Sequence, residues 1–156
     1  NIIKVFGKDM RSKQGINRKR LGRIVFNDAV KLKRLEKIIH PKVRKEVLKK
    51  LQGYKNKKNR NIIIVDIPLL FEADFHKLVD VSIVVSSPRY QQIKRAQSQL
   101  KMSKIEAQRR LSLQMPLTKK IRLADFVIDN KRNLNLTRKQ VEKLWQKLLQ
   151  KEKKCL

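Results

Sequence analysis

Residues Ile62–Glu72 read IIIVDIPLLFE: four consecutive β-branched apolar residues that run into a carboxylate, a proline and a second acid. A run apolar on both faces predicts a buried parallel strand, and a polar group at its end falls on the carboxyl edge of an α/β sheet, where ligands bind. Working outward, a second strand is expected at Val81–Val85, introduced by Asp80, and a third, shorter one at Phe126–Ile128, introduced by Asp125. Helical patterns fill the rest. After an all-helical opening, Val30, Leu32, Leu35, Ile38 and Ile39 give a short amphipathic helix stopped by His40-Pro41. Pro41 can begin the next helix, which would bury Val43, Val47 and Leu51 and end near Gly53. Lys55 to Arg60 form a basic connector into the strand at Ile62.

Ser87-Pro88 opens a helix expected to run through Leu100. Ser103 with Glu106, and Thr137 with Gln140, have capping-box spacing, so helices are expected to begin near Lys104 and Arg138. In the last helix Val141, Leu144, Trp145, Leu148 and Leu149 share one face, which makes Trp145 a core residue rather than a stacking platform. Strands alternating with helices argue for an α/β fold and against a bundle. No internal repeat and no Gly/Ser linker interrupts the chain.

The 156 residues, 40% of them apolar, suffice for one domain with a small insertion. No apolar run approaches the ~20 residues of a membrane span, and the first residues do not form a signal peptide, so the expected location is the cytoplasm. Cys155 is the only cysteine, which excludes an internal disulfide, and His40 and His76 are the only histidines, which leaves no zinc cluster. The chain opens at Asn1, not Met, in sequence that already reads as ordered, and a longer parent chain is the expectation. Lys and Arg number 41 against 13 Asp and Glu, a formal +28 that attracts polyanions. The lysines are spread end to end on the polar faces of helical patterns, which reads as solvated surface. A nucleic-acid-binding protein is kept as the alternative, against which stand the 5% aromatic content and the isolation of Tyr54 and Tyr90.

Asp66 has two open readings: an acid that orients magnesium-bound water beside nucleotide phosphates, or a cap of the turn before Pro68. Glu72 could bond a substrate hydroxyl or be a solvated loop acid, and His40 could contact substrate or cap a helix. Arg95, Arg109, Arg110 and Arg122 lie on short helices, as a mobile lid over transferring phosphates would require, or as a plain charged face would have them. No G-x-x-x-x-G-K-[ST] occurs, and with Gly7, Gly15, Gly22 and Gly53 the only glycines, no loop here can cradle polyphosphate in that way. Hydrolase elbows and zinc-protease motifs are also missing.

Taken in order, Phe6 to Asp9, Gly15 to Arg18, Leu21 to Phe26, Leu35 to Pro41 (LEKIIHP) and Asp66 to Glu72 (DIPLLFE) resemble dephospho-coenzyme A kinases. The downstream matches continue the pattern: Gln92 to Arg95, Ser103 to Ala107, Arg110, Gln114 to Pro116, Lys120, Ala124 to Asn130, Gln140-Val141 and Leu144-Trp145. The resemblance covers essentially the whole chain, and its specificity lies in the order and spacing of the segments.

The resemblance implies a P-loop kinase fold of nucleoside-monophosphate-kinase type: a three-layer α/β domain with a parallel sheet, a helical coenzyme A part at 17–58, core at 61–90 and 116–156, and a helical lid at 91–115. It implies transfer of the γ-phosphoryl group of ATP to the ribose 3′-hydroxyl of dephospho-coenzyme A, with Mg2+. By the same resemblance His40, Pro68, Leu69, Leu70 and Glu72 lie beside the acceptor, Arg95 and Arg110 act from the lid, Asp129 and Asn130 lead into the adenine loop, and Asp66 faces the metal through water. The family's first two strands, P-loop and catalytic aspartate would precede Asn1, so the chain alone is expected to be inactive and poorly stable. The family typically has an Arg-Asp pair where this chain has Gln99-Leu100. Losing a guanidinium there would cost on the order of 10³ in rate, and a noncatalytic kinase-derived protein is kept as a further alternative.

Overall fold

The computed structural model describes residues 1–55 and 62–154, so the basic connector beyond Lys55 and the thiol of Cys155 lie outside the described residues. The chain divides into two compact units, Asn1–Lys58 and Asn59–Leu156.

In the first unit a short helix α1 (Ile2–Phe6) and a single 3-10 turn (Lys8–Met10) lead into a hairpin of β1 (Arg11–Ser12) and β2 (Gly15–Ile16). The opening is therefore not all helical. Gly15 has φ +112°, a conformation that a side chain would strain, and it lets the two antiparallel residue pairs close through Lys13 and Gln14. Helix α2 (Arg18–Val25) starts at Asn17, whose side chain accepts the Arg20 amide. Met10, Leu21 and Val25 are buried, with Ile2, Phe6, Ile16, Ile24, Leu32 and Leu35 packed against them.

Helix α3 runs unbroken from Ala29 to Lys55, with Pro41 inside it. The expected break at His40-Pro41 does not occur. Proline lacks the N–H that would bond the carbonyl four residues back, at Lys37, and costs about 3 kcal/mol in a helix interior. Here the Leu32 and Leu35 end of the helix is anchored in the core, while beyond Pro41 Val43 is exposed and Val47 and Leu51 are half-buried, so the expected burial of that face is not met.

The second unit is built on two parallel strands, β3 (Ile83–Ser86) and β4 (Phe126–Asp129), in register Ile83 to Phe126 through Ser86 to Asp129. The crossover between them carries α4 (Arg89–Leu100), α5 (Lys104–Ser112) and α6 (Leu117–Leu123), and α7 (Leu134–Lys154) follows β4. Helix α4 ends on Lys101 in the left-handed region, and α5 opens with the expected capping box, Ser103 and Glu106 satisfying each other's amides.

Three expectations for this unit are corrected. Residues 62–67 form no strand, although theirs is the most strand-like sequence in the chain: Ile63 and Ile64 are exposed, Ile64 at 75%, and no strand among the described residues lies beside them to complete a ladder. Helix α7 begins at Leu134, not near Arg138, because Asn133 caps it through the Leu136 amide. Thr137 and Gln140 are then inside the helix. Trp145 is 40% exposed and Val141 is also exposed, while Leu144 alone of that face is fully buried. An amphipathic face announces that it can be covered, and among the described residues this one is covered only along the Leu144 line.

Candidate functional site

The two ends of the β3–β4 pair are fixed by different chemistry. At the amino end Ser82 is buried, and its amide and hydroxyl both donate to Asp125 Oδ2, at 2.8 and 2.7 Å. The Asp125 amide returns a bond to Ser82 Oγ at 3.2 Å, and the Phe126 amide donates to the Ser82 carbonyl. The Ser82 hydroxyl, and then its amide, hold the Asp125 carboxyl below its ordinary value. This lock sets the register of the pair.

At the carboxyl end, where ligands bind in α/β sheets, side chains of α4 and α7 converge on residues 129–131. The Asn130 amide continues the pairing onto the Ser86 carbonyl at 2.7 Å. Gln140 grips Asp129 on both backbone sides, Oε1 accepting its amide at 2.9 Å and Nε2 donating to its carbonyl at 2.8 Å. Arg95 Nη2 donates to the Asn130 carbonyl at 3.0 Å, and Gln91 Nε2 to the Lys131 carbonyl at 2.8 Å. Thr137 Oγ1 donates to Asn130 Oδ1, and the Lys131 amide donates to Asp129 Oδ1. The Lys131 ammonium, 2.9 Å from Asp129 Oδ2, and the Lys131 amide hold the Asp129 carboxyl below its ordinary value.

The loop after Asp66 is built around Phe71 and Phe75, both buried, with the Leu69 and Leu70 carbonyls accepting amides from Ala73, Phe75 and His76. Glu72 leaves this loop to form a largely buried ion pair with Lys120 of α6, at 2.6 Å, the side chains only 16% and 13% exposed. Its Oε1 also accepts the Met115 amide at 3.0 Å, which ties the loop to the segment joining α5 to α6. Oε2 is buried and accepts no bond from the described residues. Lys120 further donates to Gln114 Oε1 at 3.4 Å.

The structure thus brings Arg95, Asp129 and Asn130 together directly. Asp66 and Pro68 are exposed, Leu69 and Leu70 half-buried, on the loop that Glu72 anchors. Arg110 lies half-buried in the last turn of α5, which packs against α4. His40 belongs to the first unit, half-buried in mid-α3. Sequence reasoning missed Gln91 entirely and read Gln140 as a cap. It gave Lys120 no partner, because a charge pair 48 residues apart leaves no local signature.

No group of three or more His, Cys, Asp or Glu among the described residues could hold a metal ion by itself. No described helix is long and apolar enough to cross a membrane.

Parallel strands joined by a helical crossover, with polar side chains gathered on their carboxyl edge, define an α/β protein of the ligand-at-the-edge class. The family model described as dephospho-CoA kinase matches residues 1–136. A dephospho-CoA kinase of Carboxydothermus hydrogenoformans is 42% identical over 147 residues, 94% of this chain and 71% of that protein. One from Helicobacter pylori is 40% identical over 150 residues, 95% of this chain and 76% of the relative. Among solved structures, the dephospho-CoA kinase from Campylobacter jejuni superposes with a TM-score of 0.60 at 33% identity, covering 94% of this chain and 73% of that one. The crystal structure of TT1252 from Thermus thermophilus reaches 0.72 at 25% identity, covering 94% and 74%. The chain belongs to the dephospho-CoA kinase family, and its fold is the P-loop kinase fold of those neighbours.

Proposed function

We propose that this chain serves ATP-dependent phosphorylation of the 3′-hydroxyl of dephospho-coenzyme A, the step that yields coenzyme A. The observation that carries the reading is the family match over residues 1–136. The geometry supports a division of labour. Residues 66–72 form the acceptor wall, with Glu72 holding the loop through Oε1 and keeping Oε2 for a ligand donor. Helices α4 and α5 form the lid that carries Arg95 and Arg110, and residues 129–133 form the wall beside the adenine. Such a reaction needs little covalent chemistry from the protein. Positioning and charge stabilisation supply the rate. His40, in the coenzyme A part of the first unit, contacts the acceptor in this reading.

Magnesium keeps most of its water and takes one or two carboxylates plus substrate phosphates. Asp66, an exposed carboxylate after the apolar run, fits that demand through water. When bound, the ion would neutralise phosphate charge. The chain's own residues hold and orient the two substrates.

Because no G-x-x-x-x-G-K-[ST] occurs in the 156 residues, we infer that residues 1–156 by themselves do not turn over. The test is direct. The protein as its own cells make it is incubated with ATP, Mg2+ and dephospho-coenzyme A, and coenzyme A is measured by mass; no product would sink the assignment. In parallel, purified residues 1–156 should give none, and product there would show that the essential phosphate-binding groups have been misassigned.

A further inference from the structure

The three residues that leave β4 have every backbone polar group already satisfied. The Asp129 amide and carbonyl are both taken by Gln140, the Asn130 amide by the Ser86 carbonyl and the Asn130 carbonyl by Arg95, the Lys131 amide by Asp129 Oδ1 and the Lys131 carbonyl by Gln91. Loops at a sheet edge normally leave several such groups to water. Here side chains from two helices on either side of β4 in sequence take four of the six groups, and Thr137 adds a bond to the Asn130 side chain at Oδ1.

Two consequences follow from this saturation. A ligand cannot bond the N–H groups of 129–131 without displacing one of these bonds, so direct contacts fall to the Asn130 side-chain nitrogen, to the second lone pairs of the carbonyls and to residues 132 and 133. And the loop cannot shift without α4, because Gln91 and Arg95 lie one helical turn apart on that helix and grip successive carbonyls. Arg95 spends one nitrogen on Asn130 out of a guanidinium that carries five N–H groups.

We propose that Gln140 and Gln91 are positioning residues for the nucleotide: with Arg95 they form a clamp that preorganises the wall at 129–131 and couples its placement to the lid helix α4. The inference rests on the proposed kinase reading and goes beyond it by assigning these two glutamines a role in ATP recognition. The clamp acts on the nucleotide side only, since the acceptor loop has its own anchor in the Glu72–Lys120 pair.

Gln140→Leu removes two bonds to the backbone of residues 129–131, besides one to the Leu136 carbonyl within α7, and Gln91→Leu removes one. Gln91 Oε1 is buried without a partner, so leucine there also deletes an unsatisfied acceptor and the variant should fold even if Gln140→Leu does not. Steady-state kinetics of the protein as its own cells make it should show the KM for ATP rising about tenfold in Gln140→Leu and about threefold in Gln91→Leu, as loss of two and one ordinary hydrogen bonds predicts. The KM for dephospho-coenzyme A should stay within about twofold, because the acceptor anchor is untouched. Hydrogen exchange at Val84 and Val127 reports whether the strand pair itself has loosened. An unchanged KM for ATP in an active, folded variant overturns the clamp, as does a parallel rise in both KM values with faster exchange in β3 and β4, which is the mark of a structural defect. If the unsubstituted protein has no kinase activity, the kinase reading itself falls, an outcome separate from either of these.

Discussion

Residues 62–67 and the β3–β4 pair lie in the same unit and took opposite courses. The first has the stronger strand sequence, Ile-Ile-Ile-Val ahead of Asp66, and remains outside any ladder; the second consists of two four-residue runs, Ile83–Ser86 and Phe126–Asp129, locked in register. What separates them is not propensity but partners. Strand preference measures fit to a pleated, half-buried surface and has no force without a neighbour to supply the surface and the backbone bonds. Ser82 and Asp125 at one end, and Asn130 and Ser86 at the other, give β3 and β4 that neighbour. The loop after residue 67 recovers order by other means, through Phe71, Phe75 and the Glu72–Lys120 pair.

Among the polar contacts the largest effect is expected at the ion pair that ties the loop to α6. Lys120→Met leaves Glu72 as an uncompensated, mostly buried carboxylate, and removal of one partner from a buried pair costs about 3–5 kcal/mol. Chemical denaturation followed by far-UV circular dichroism measures it. A loss under about 1 kcal/mol would mean that the aromatic anchors alone hold the loop, which would bring it closer in kind to residues 62–67.

Next in size is the strand lock. Ser82→Ala strips the hydroxyl that both gives to Asp125 Oδ2 and accepts the Asp125 amide; Asp125 is solvent-exposed and keeps the Ser82 amide, so the loss is that of ordinary hydrogen bonding, about 1 kcal/mol. The same contact makes stability depend on pH. The folded Asp125 titrates below its ordinary 3.8, so its contribution is present above that value and is lost as pH falls through the folded value. Thermal melts between about pH 5 and pH 2.5 should therefore show a smaller acid loss in Ser82→Ala than in the unsubstituted chain. Equal losses would move the acid sensitivity to other carboxylates.

Of similar size is the α5 cap. Ser103→Ala removes the acceptor for the Glu106 amide at an exposed helix start and should cost about 1 kcal/mol, read from the same denaturation curves. Its contrast with Thr137 and Gln140 explains what was legible in the sequence. Both pairs have identical spacing, and the pattern is read correctly at Ser103 because that serine and glutamate satisfy each other's amides locally. At Gln140 the β4 backbone, 11 residues away, offers better partners than a local cap does, and Asn133 has already started the helix. The α/β class, two of the three strands and the helix ends at Leu100 and Ser103 could be read from local pattern. Pro41 within α3, the exposed Trp145 and the Lys120 anchor could not, because each is decided by what packs against it rather than by its own neighbours in sequence. Of the site, Asp129, Asn130 and Arg95 were legible as residues, while the bond that joins Arg95 to Asn130 was not.

The smallest effect probes the comparison at its root. Ile64 is 75% exposed, so Ile64→Lys should change stability of residues 1–156 by no more than about 0.5 kcal/mol, as exposed substitutions do. Val84 is the matched control in the paired region: it is buried, and Val84→Lys should be severely destabilising or prevent folding, since an ammonium would replace a core side chain. Run on the protein as its own cells make it, the Ile64 substitution becomes a sharper instrument. A loss of more than about 2 kcal/mol there, with none in residues 1–156, would mean that a surface outside these residues covers the run and turns it into the strand its sequence describes. An equally small effect in both would leave the four apolar residues before Asp66 as a tether for the acceptor loop, stiffened by their β-branched side chains and not by a ladder.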